Sequence, residues 1–433
     1  MVSEAHPDTH HAMRPQCTRE RVTYKKGTAM TLELAIFGRD WWNHAHRIAK
    51  ELREKGAVHP AMLPWGGQKI PVFVITRYAE ARAALGDPRL SKDGAGLVAI
   101  LNRHLTVDGV EPELSAMFKV KHMIFLDPPE HTRLRGLLQK HFTRTRMEAM
   151  RPRIEQMVSG LLDELPKGEE VDLITDLAFP LPLNVICELI GVPEEKRRLL
   201  RAWTFALMED NPERARAASE NMYTYLVELI ETARANPGDD LLSALVQDAE
   251  AEDRLSKEEL LGTLLLLFVA GHETTTALIG NGIKGLLERP KLYRELAQKP
   301  QLLPRAVKEF ARHESAVATT THRFTTEEIT IDGTTIPAGE IVLISLLSAN
   351  RDDRQFHCPE QLDVHRTEPN LAFGYGIHYC LGALLGSIEA ESAWGALARR
   401  FPNARLAVEA DQLARRQPVM IPWSYGELPA ILG

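Results

Sequence analysis

Phe373-Gly374-Tyr375-Gly376-Ile377-His378-Tyr379-Cys380-Leu381-Gly382 sets a cysteine directly after a glycine-rich turn and directly before a helical pattern. Glycine lets a backbone turn sharply and approach a flat ligand closely. The unpaired N–H groups of a helix start can donate to a nearby sulfur, and the positive end of the helix dipole favours thiolate over thiol. The segment therefore suits a metal-bound thiolate, although a buried structural cysteine is the commoner source of such a pattern. It is not a dinucleotide-binding fingerprint: Tyr379 stands where the third glycine belongs, and no strand–helix crossover follows.

Working outward, the most apolar stretch, Leu261 to Gly271, runs into Ala270-Gly271-His272-Glu273-Thr274-Thr275. It is shorter than the roughly 20 residues that span a bilayer, and reads as a buried core helix. Polar groups inside such a helix are costly unless paired. The Thr274 hydroxyl can return to the Ala270 carbonyl, which bends or opens a helix, and Gly271 leaves room beside it. An acid, a hydroxyl and a gap suit proton delivery to a bound small molecule; packing against a polar neighbour is the plain alternative. Glu309-x-x-Arg312 places opposite charges one turn apart, a spacing common on solvated helix faces. His131 and Arg135 share one helical face and together suit a carboxylate, though ordinary surface charge has the same pattern.

The composition of the 433 residues is that of a soluble globular protein, with 44% apolar and 26% charged residues and a net charge of −7. The mild acidity argues against nonspecific nucleic-acid binding. The four cysteines, Cys17, Cys187, Cys358 and Cys380, form no C-x-x-C pair, so neither a disulfide framework nor a zinc ribbon is expected. Cys358, between His357 and Pro359, lacks both a glycine turn and a following helix. Residues 1–26, with His6, His10 and His11, read as a loosely ordered N-terminal tail without the apolar run of a signal peptide, which predicts a cytoplasmic protein without a membrane anchor. Residues 27–433 read as one large domain.

Along that domain the pattern predicts a helix over Trp41 to Gly56, a strand over Ile70 to Thr76 and a helix over Tyr78 to Leu85. Gly94 to Lys121 reads as a long irregular loop. Asp127-Pro128-Pro129 is expected to start a helix, with the acidic residue capping it. Helix dominates to about Arg312, an Asp332-Gly333 hairpin and a Val342 to Leu346 strand follow, and helix resumes after Cys380. The fold class is mainly α with small β-sheets, and the lack of regular alternation argues against Rossmann or TIM architectures. Trp203, Phe205 and Met208 could line a substrate pocket, although an apolar stripe at helical spacing is more often plain core.

Taken jointly and in order, these segments resemble the cytochrome P450 haem-thiolate monooxygenases. The Cys380 segment resembles that family's haem-binding loop, Ala270 to Thr275 its oxygen-binding helix motif, and Glu309 to Arg312 its Glu-x-x-Arg motif. Ala349-Asn350-Arg351-Asp352 through Phe356, Pro359 and Asp363 resembles the segment before the loop, and Asp127 to Arg135 a long helix of the family. The resemblance covers Trp41 to the C-terminus and implies a single-domain P450 fold.

The resemblance implies Cys380 as the iron ligand of haem b, with Phe373, Gly374, Gly382, Ala270 and Gly271 lining it. His131, Arg135, Arg323 and His378 would pair with the haem propionates, Glu273 and Thr274 would relay protons, and Glu309 and Arg312 would be a structural ion pair. Gly386-Ser387, Ala316 and Gln361 depart from the residues frequent in the family. Electrons would come from NAD(P)H through a ferredoxin reductase and a ferredoxin, with Arg133, Lys140, Arg144 and Arg146 as part of a docking face, to a monomer. Candidate pocket segments, Gly94 to Lys121, Arg201 to Arg214, Leu264 to Thr274, Ala316 to Thr321 and Val419 to Ile421, are largely apolar and suit an apolar small molecule such as a polyketide. The implied reaction is hydroxylation or epoxidation of a secondary metabolite. Aromatic coupling, peroxide-driven oxidation, a haem sensor and a zinc protein are the alternatives.

Overall fold

The computed structural model describes residues 39–65, 68–106, 116–207, 212–252, 255–416 and 422–433. The chain divides into residues 1–30, which with the predicted tail lie outside the described residues, and a unit of 31–433.

Strands β1 (Val58–Trp65), β2 (Gln68–Ile75), β3 (Leu90–Ser91), β4 (Arg323–Thr325) and β5 (Ile341–Ile344) form one sheet in the order β1-β2-β5-β4-β3. The β2–β5 pair is parallel and the others antiparallel. Only the second half of the β1–β2 hairpin is expected from the sequence. The Gly66-Gly67 pair between the two runs is the available hairpin signal. The Asp332-Gly333 hairpin forms as expected, with both residues at positive φ (49° and 76°).

Four helices frame the centre: α1 (Glu130–Gln139), α2 (Lys257–Leu287), α3 (Leu303–His313) and α4 (Ala383–Arg400). A reciprocal Ser256/Glu259 capping box starts α2. Its middle and end pack on α3 and α4 through Ile283, Leu286, Phe310, Ile388 and Trp394, all almost wholly buried. Close approach is possible because Gly282 has no side chain: a Cβ there would lie 1.8 Å from the Trp394 ring. The apolar stretch of α2 is 72% buried, as a core helix.

Three expectations need correction. Gly94 to Leu105 is a helix rather than loop, with Asp93 capping the Gly96 N–H and Leu97, Ile100, Leu101 and Leu105 facing inward. Its two glycines and single polar face hide a 3.6-residue period. Asp127 does not cap α1: its carboxylate takes the Ser91 hydroxyl and the Lys92 backbone N–H instead. The strand expected through Leu346 ends at Ile344, because the Ser345 side chain caps a short helix, Leu346–Ala349.

Candidate active site

Gly374 and Gly376, at φ 77° and 75°, turn the Cys380 loop in a region that side chains disfavour. The Cys380 N–H donates to the Phe373 carbonyl (2.9 Å) and the Tyr379 N–H to that of Gly376 (3.0 Å), closing the loop just before α4. Arg135 reaches across from α1 to the Tyr379 carbonyl (2.7 Å). Burial pushes the Cys380 thiol up, while the Gly382 backbone N–H and the Arg135 charge pull the other way. Both opposing groups favour a thiolate once a metal replaces the proton. Cys358 sits apart beside His357, Sγ to Nε2 3.4 Å.

Three successive threonines of α2 return their hydroxyls to carbonyls four residues back: Thr274 to Ala270 (2.7 Å), Thr275 to Gly271 (3.0 Å) and Thr276 to His272 (3.1 Å). The helix nevertheless runs unbroken through them, so the expected opening does not occur. Glu273 has a buried Oε1 without a hydrogen-bond partner among the described residues. The adjacent His272 Nδ1 is 3.7 Å away and, pushed down to about 3 by burial, offers it no positive charge near neutrality. Burial raises Glu273 to about 7, with Arg416 opposing. A carboxyl that exchanges protons near neutrality is thus followed in the chain by a hydroxyl bonded back to its own helix. Gly386 of α4 lies under this stretch, where a Cβ would come 3.3 Å from Thr275 Oγ1.

A cationic cluster gathers opposite. His131 and His378 rings lie 4.2 Å apart. Both ring nitrogens of His131, Nε2 of His378 and Nε of Arg323 are buried without partners among the described residues. His378 is pushed down to about 2, first by burial and then by the charges of Lys92, His131, Arg323 and Arg135. Burial lowers Arg323 to about 10, with Asp127 opposing. Unsatisfied buried donors are expensive. A ligand carrying two carboxylates, such as haem, satisfies them, so the residues present fit that group. The sequence reading missed Lys92 and the role of Asp127, because their partners lie 35 or more positions away.

The Glu309–Arg312 pair is core rather than surface. Arg312 gives Nε to Glu309 Oε2 (2.8 Å) and Nη2 to Oε1 (2.7 Å), and reaches the carbonyls of Asn350, Pro359 and Gln361. Glu309 Oε1 also accepts from the Asp363 N–H (2.9 Å) and from Arg366, a residue not anticipated (3.2 Å). At the departure Gln361 it is the backbone carbonyl that is used, so the side chain matters little. Ala316 likewise contributes its carbonyl, to the Trp423 N–H (2.7 Å). Asn350 Oδ1 accepts the Leu371 N–H (2.7 Å) and so carries the lock to the Cys380 loop. Of the expected docking cations, Arg133 pairs with Glu259 and Lys140 with Asp248.

A family model described as Cytochrome P450 matches residues 198–405. Cytochrome P450 107B1 of Saccharopolyspora erythraea is 45% identical over 81% of this chain and 87% of its own length. The chain is a cytochrome P450. The mycinamicin IV hydroxylase/epoxidase of Micromonospora griseorubida, another P450 relative, is 38% identical over 87% of the chain and 91% of its own. The tirandamycin C-bound P450 monooxygenase TamI superposes with a TM-score of 0.82 at 41% identity, covering 91% of this chain and 98% of that one. As a P450 monooxygenase this chain uses haem iron. Its mainly helical single domain is the P450 fold.

Proposed function

We propose that the chain holds haem b through Cys380 and inserts one oxygen atom from O2 into a largely apolar secondary metabolite, by hydroxylation or epoxidation. The observation that carries this is the convergence of Cys380, at the end of a glycine-turned loop, with buried donors on His131, His378 and Arg323 that lack partners among the described residues. Haem bound to Cys380 thiolate supplies O2 activation, its sulfur favouring O–O cleavage.

The rest is this chain's own work. His131, Arg135, Arg323 and His378 would hold the haem carboxylates. Phe373, Gly374 and Gly382 on one side, with Ala270 and Gly271 on the other, would shape the haem's surroundings. Glu273 holds a proton until about pH 7 and Thr274 stands next to it, so the pair can pass protons into a site lined by the apolar turns of α2. Glu309 and Arg312 keep the loop in register. Presence of both Glu273 and Thr274 favours oxygenation over coupling or peroxide-driven chemistry. One relative is named for mycinamicin IV and another has tirandamycin C bound, which supports a macrolide- or polyketide-like substrate. The reading includes a cytoplasmic monomer that receives NAD(P)H electrons through ferredoxin and ferredoxin reductase. Of the pocket segments, residues 107–115, 208–211 and 417–421 lie outside the described residues.

Cys380→Ser is expected to abolish the red-shifted Soret band of the reduced carbon monoxide complex. An unchanged band in that variant overturns the ligand assignment.

A further inference from the structure

Lys92 is 2% exposed, yet its ammonium meets no carboxylate among the described residues; it donates to the neutral hydroxyl of Thr321. A buried ammonium without a counter-ion is costly. Its position is set by the sheet. Ser91 of β3 pairs with Phe324 of β4, and extending this antiparallel register by one residue sets Lys92 across from Arg323. Directly opposed residues share a face, and like charges there repel. Arg323 is itself 4% exposed, and its Nε has no partner among the described residues. Two buried cations are thus forced together.

Asp127 holds them there. Its carboxylate accepts from the Ser91 hydroxyl and the Lys92 N–H, while its own carbonyl accepts the His131 N–H (2.9 Å) at the start of α1. One residue therefore staples the end of β3 to the helix carrying His131 and Arg135. Lys92, Arg323 and Arg135 gather around His378 with the single carboxylate of Asp127, and burial with the Arg323 charge holds the Lys92 ammonium well below its usual range, a penalty that an incoming anion relieves. With that ammonium charged, three cations against one carboxylate leave an excess of two positive charges, which matches the two carboxylates of haem b.

We propose that Lys92 is a haem-carboxylate anchor, paired with Arg323 across the β3–β4 register, and that Asp127 is the residue that positions it. The inference rests on the haem reading above and adds a ligand that the recognised motifs do not include.

The test uses ferric holoenzyme of the wild type and of Lys92→Met, Lys92→Gln and Lys92→Arg. Two quantities are read: the propionate bending band in the resonance Raman spectrum, and the rate of haem transfer to apomyoglobin. In Lys92→Met and Lys92→Gln the band shifts and haem is lost about tenfold faster, the loss of one charge-assisted hydrogen bond. Lys92→Arg restores both towards wild type. An unmoved propionate band in the neutral variants overturns the proposal even if haem is lost faster, because the lysine is then structural. If Lys92→Met does not accumulate, Lys92→Gln carries the same comparison. A wild type lacking the red-shifted carbon monoxide band sinks the haem reading itself, whereas that band with unmoved variants sinks only Lys92.

Discussion

Glu273 and Thr274 differ in kind. The threonine hydroxyl is satisfied within its own helix, at 2.7 Å from Ala270 O, whereas the carboxyl has a buried oxygen with no partner among the described residues. The second is a cost that the fold carries. Burial raises Glu273 from 4.5 to about 7, so between those values the unfolded chain has released a proton that the folded chain keeps. Stability is therefore full below pH 4.5 and falls as pH rises through 7. The upper bound on that loss is about 3 kcal/mol. Urea unfolding of Glu273→Gln against wild type at pH 5 and pH 7.5 measures it: the variant gains on the wild type as pH rises. A difference independent of pH would show that the carboxyl is not held protonated. Glu389, on α4, is a second case, 2% exposed, with an Oε2 that has no partner among the described residues, and raised well above the carboxylate range by burial.

At the scale of elements, the Glu309–Arg312 pair shows why a sequence motif and its surroundings are unequally legible. The i, i+3 spacing is local, so the pairing itself can be read from two letters. That the pair is buried, and that it meets carbonyls 38, 47 and 49 residues away, cannot. The Cys380 turn was legible for the same reason: positive φ at Gly374 and Gly376 leaves a local glycine signature. The Gly94–Leu105 helix was missed because its start is glycine-rich and its period is visible only once the buried face is known. Lysine in place of Arg312 keeps the charge but cannot make a two-pronged contact and reach three carbonyls at once. Arg312→Lys is expected to lose about 2–4 kcal/mol of stability in thermal or urea unfolding. Wild-type stability in that variant would mean that the carbonyl contacts contribute little.

Across the whole unit, one carboxylate that joins distant segments is Glu314, just after α3. His46 of the Arg39–Lys55 helix lies 2.6 Å from Oε1, Arg351 3.2 Å from the same oxygen, and Arg415 pairs with Oε2. Arg415 also donates to Asn281 of α2 (2.9 Å) and stacks over Tyr425 (3.9 Å). One carboxylate thus joins the Arg39–Lys55 helix, the segment before the Cys380 loop and the C-terminal strand region, through partners up to 268 positions away from it. No sequence pattern announces it, because its spacing is fixed by tertiary packing alone. Its neighbours hold Glu314 well below 4.5: burial opposes, and His46, Arg415 and Arg351 prevail. Here the sign is the reverse of Glu273. The unfolded chain takes up a proton first as pH falls, so the stabilisation is full above pH 4.5 and is lost below it. His46, itself lowered from 6.5 mainly by burial, adds to acid lability in the same direction. Glu314→Gln leaves buried cations unmatched and is expected to cost about 2–3 kcal/mol at pH 7, less than a fully buried pair because the side chain keeps 15% exposure. The gap between variant and wild type should then close as pH falls from 4.5 towards 3, read by urea unfolding at each pH. A gap that stays constant over that range would show that the carboxylate charge is not what ties the three regions together.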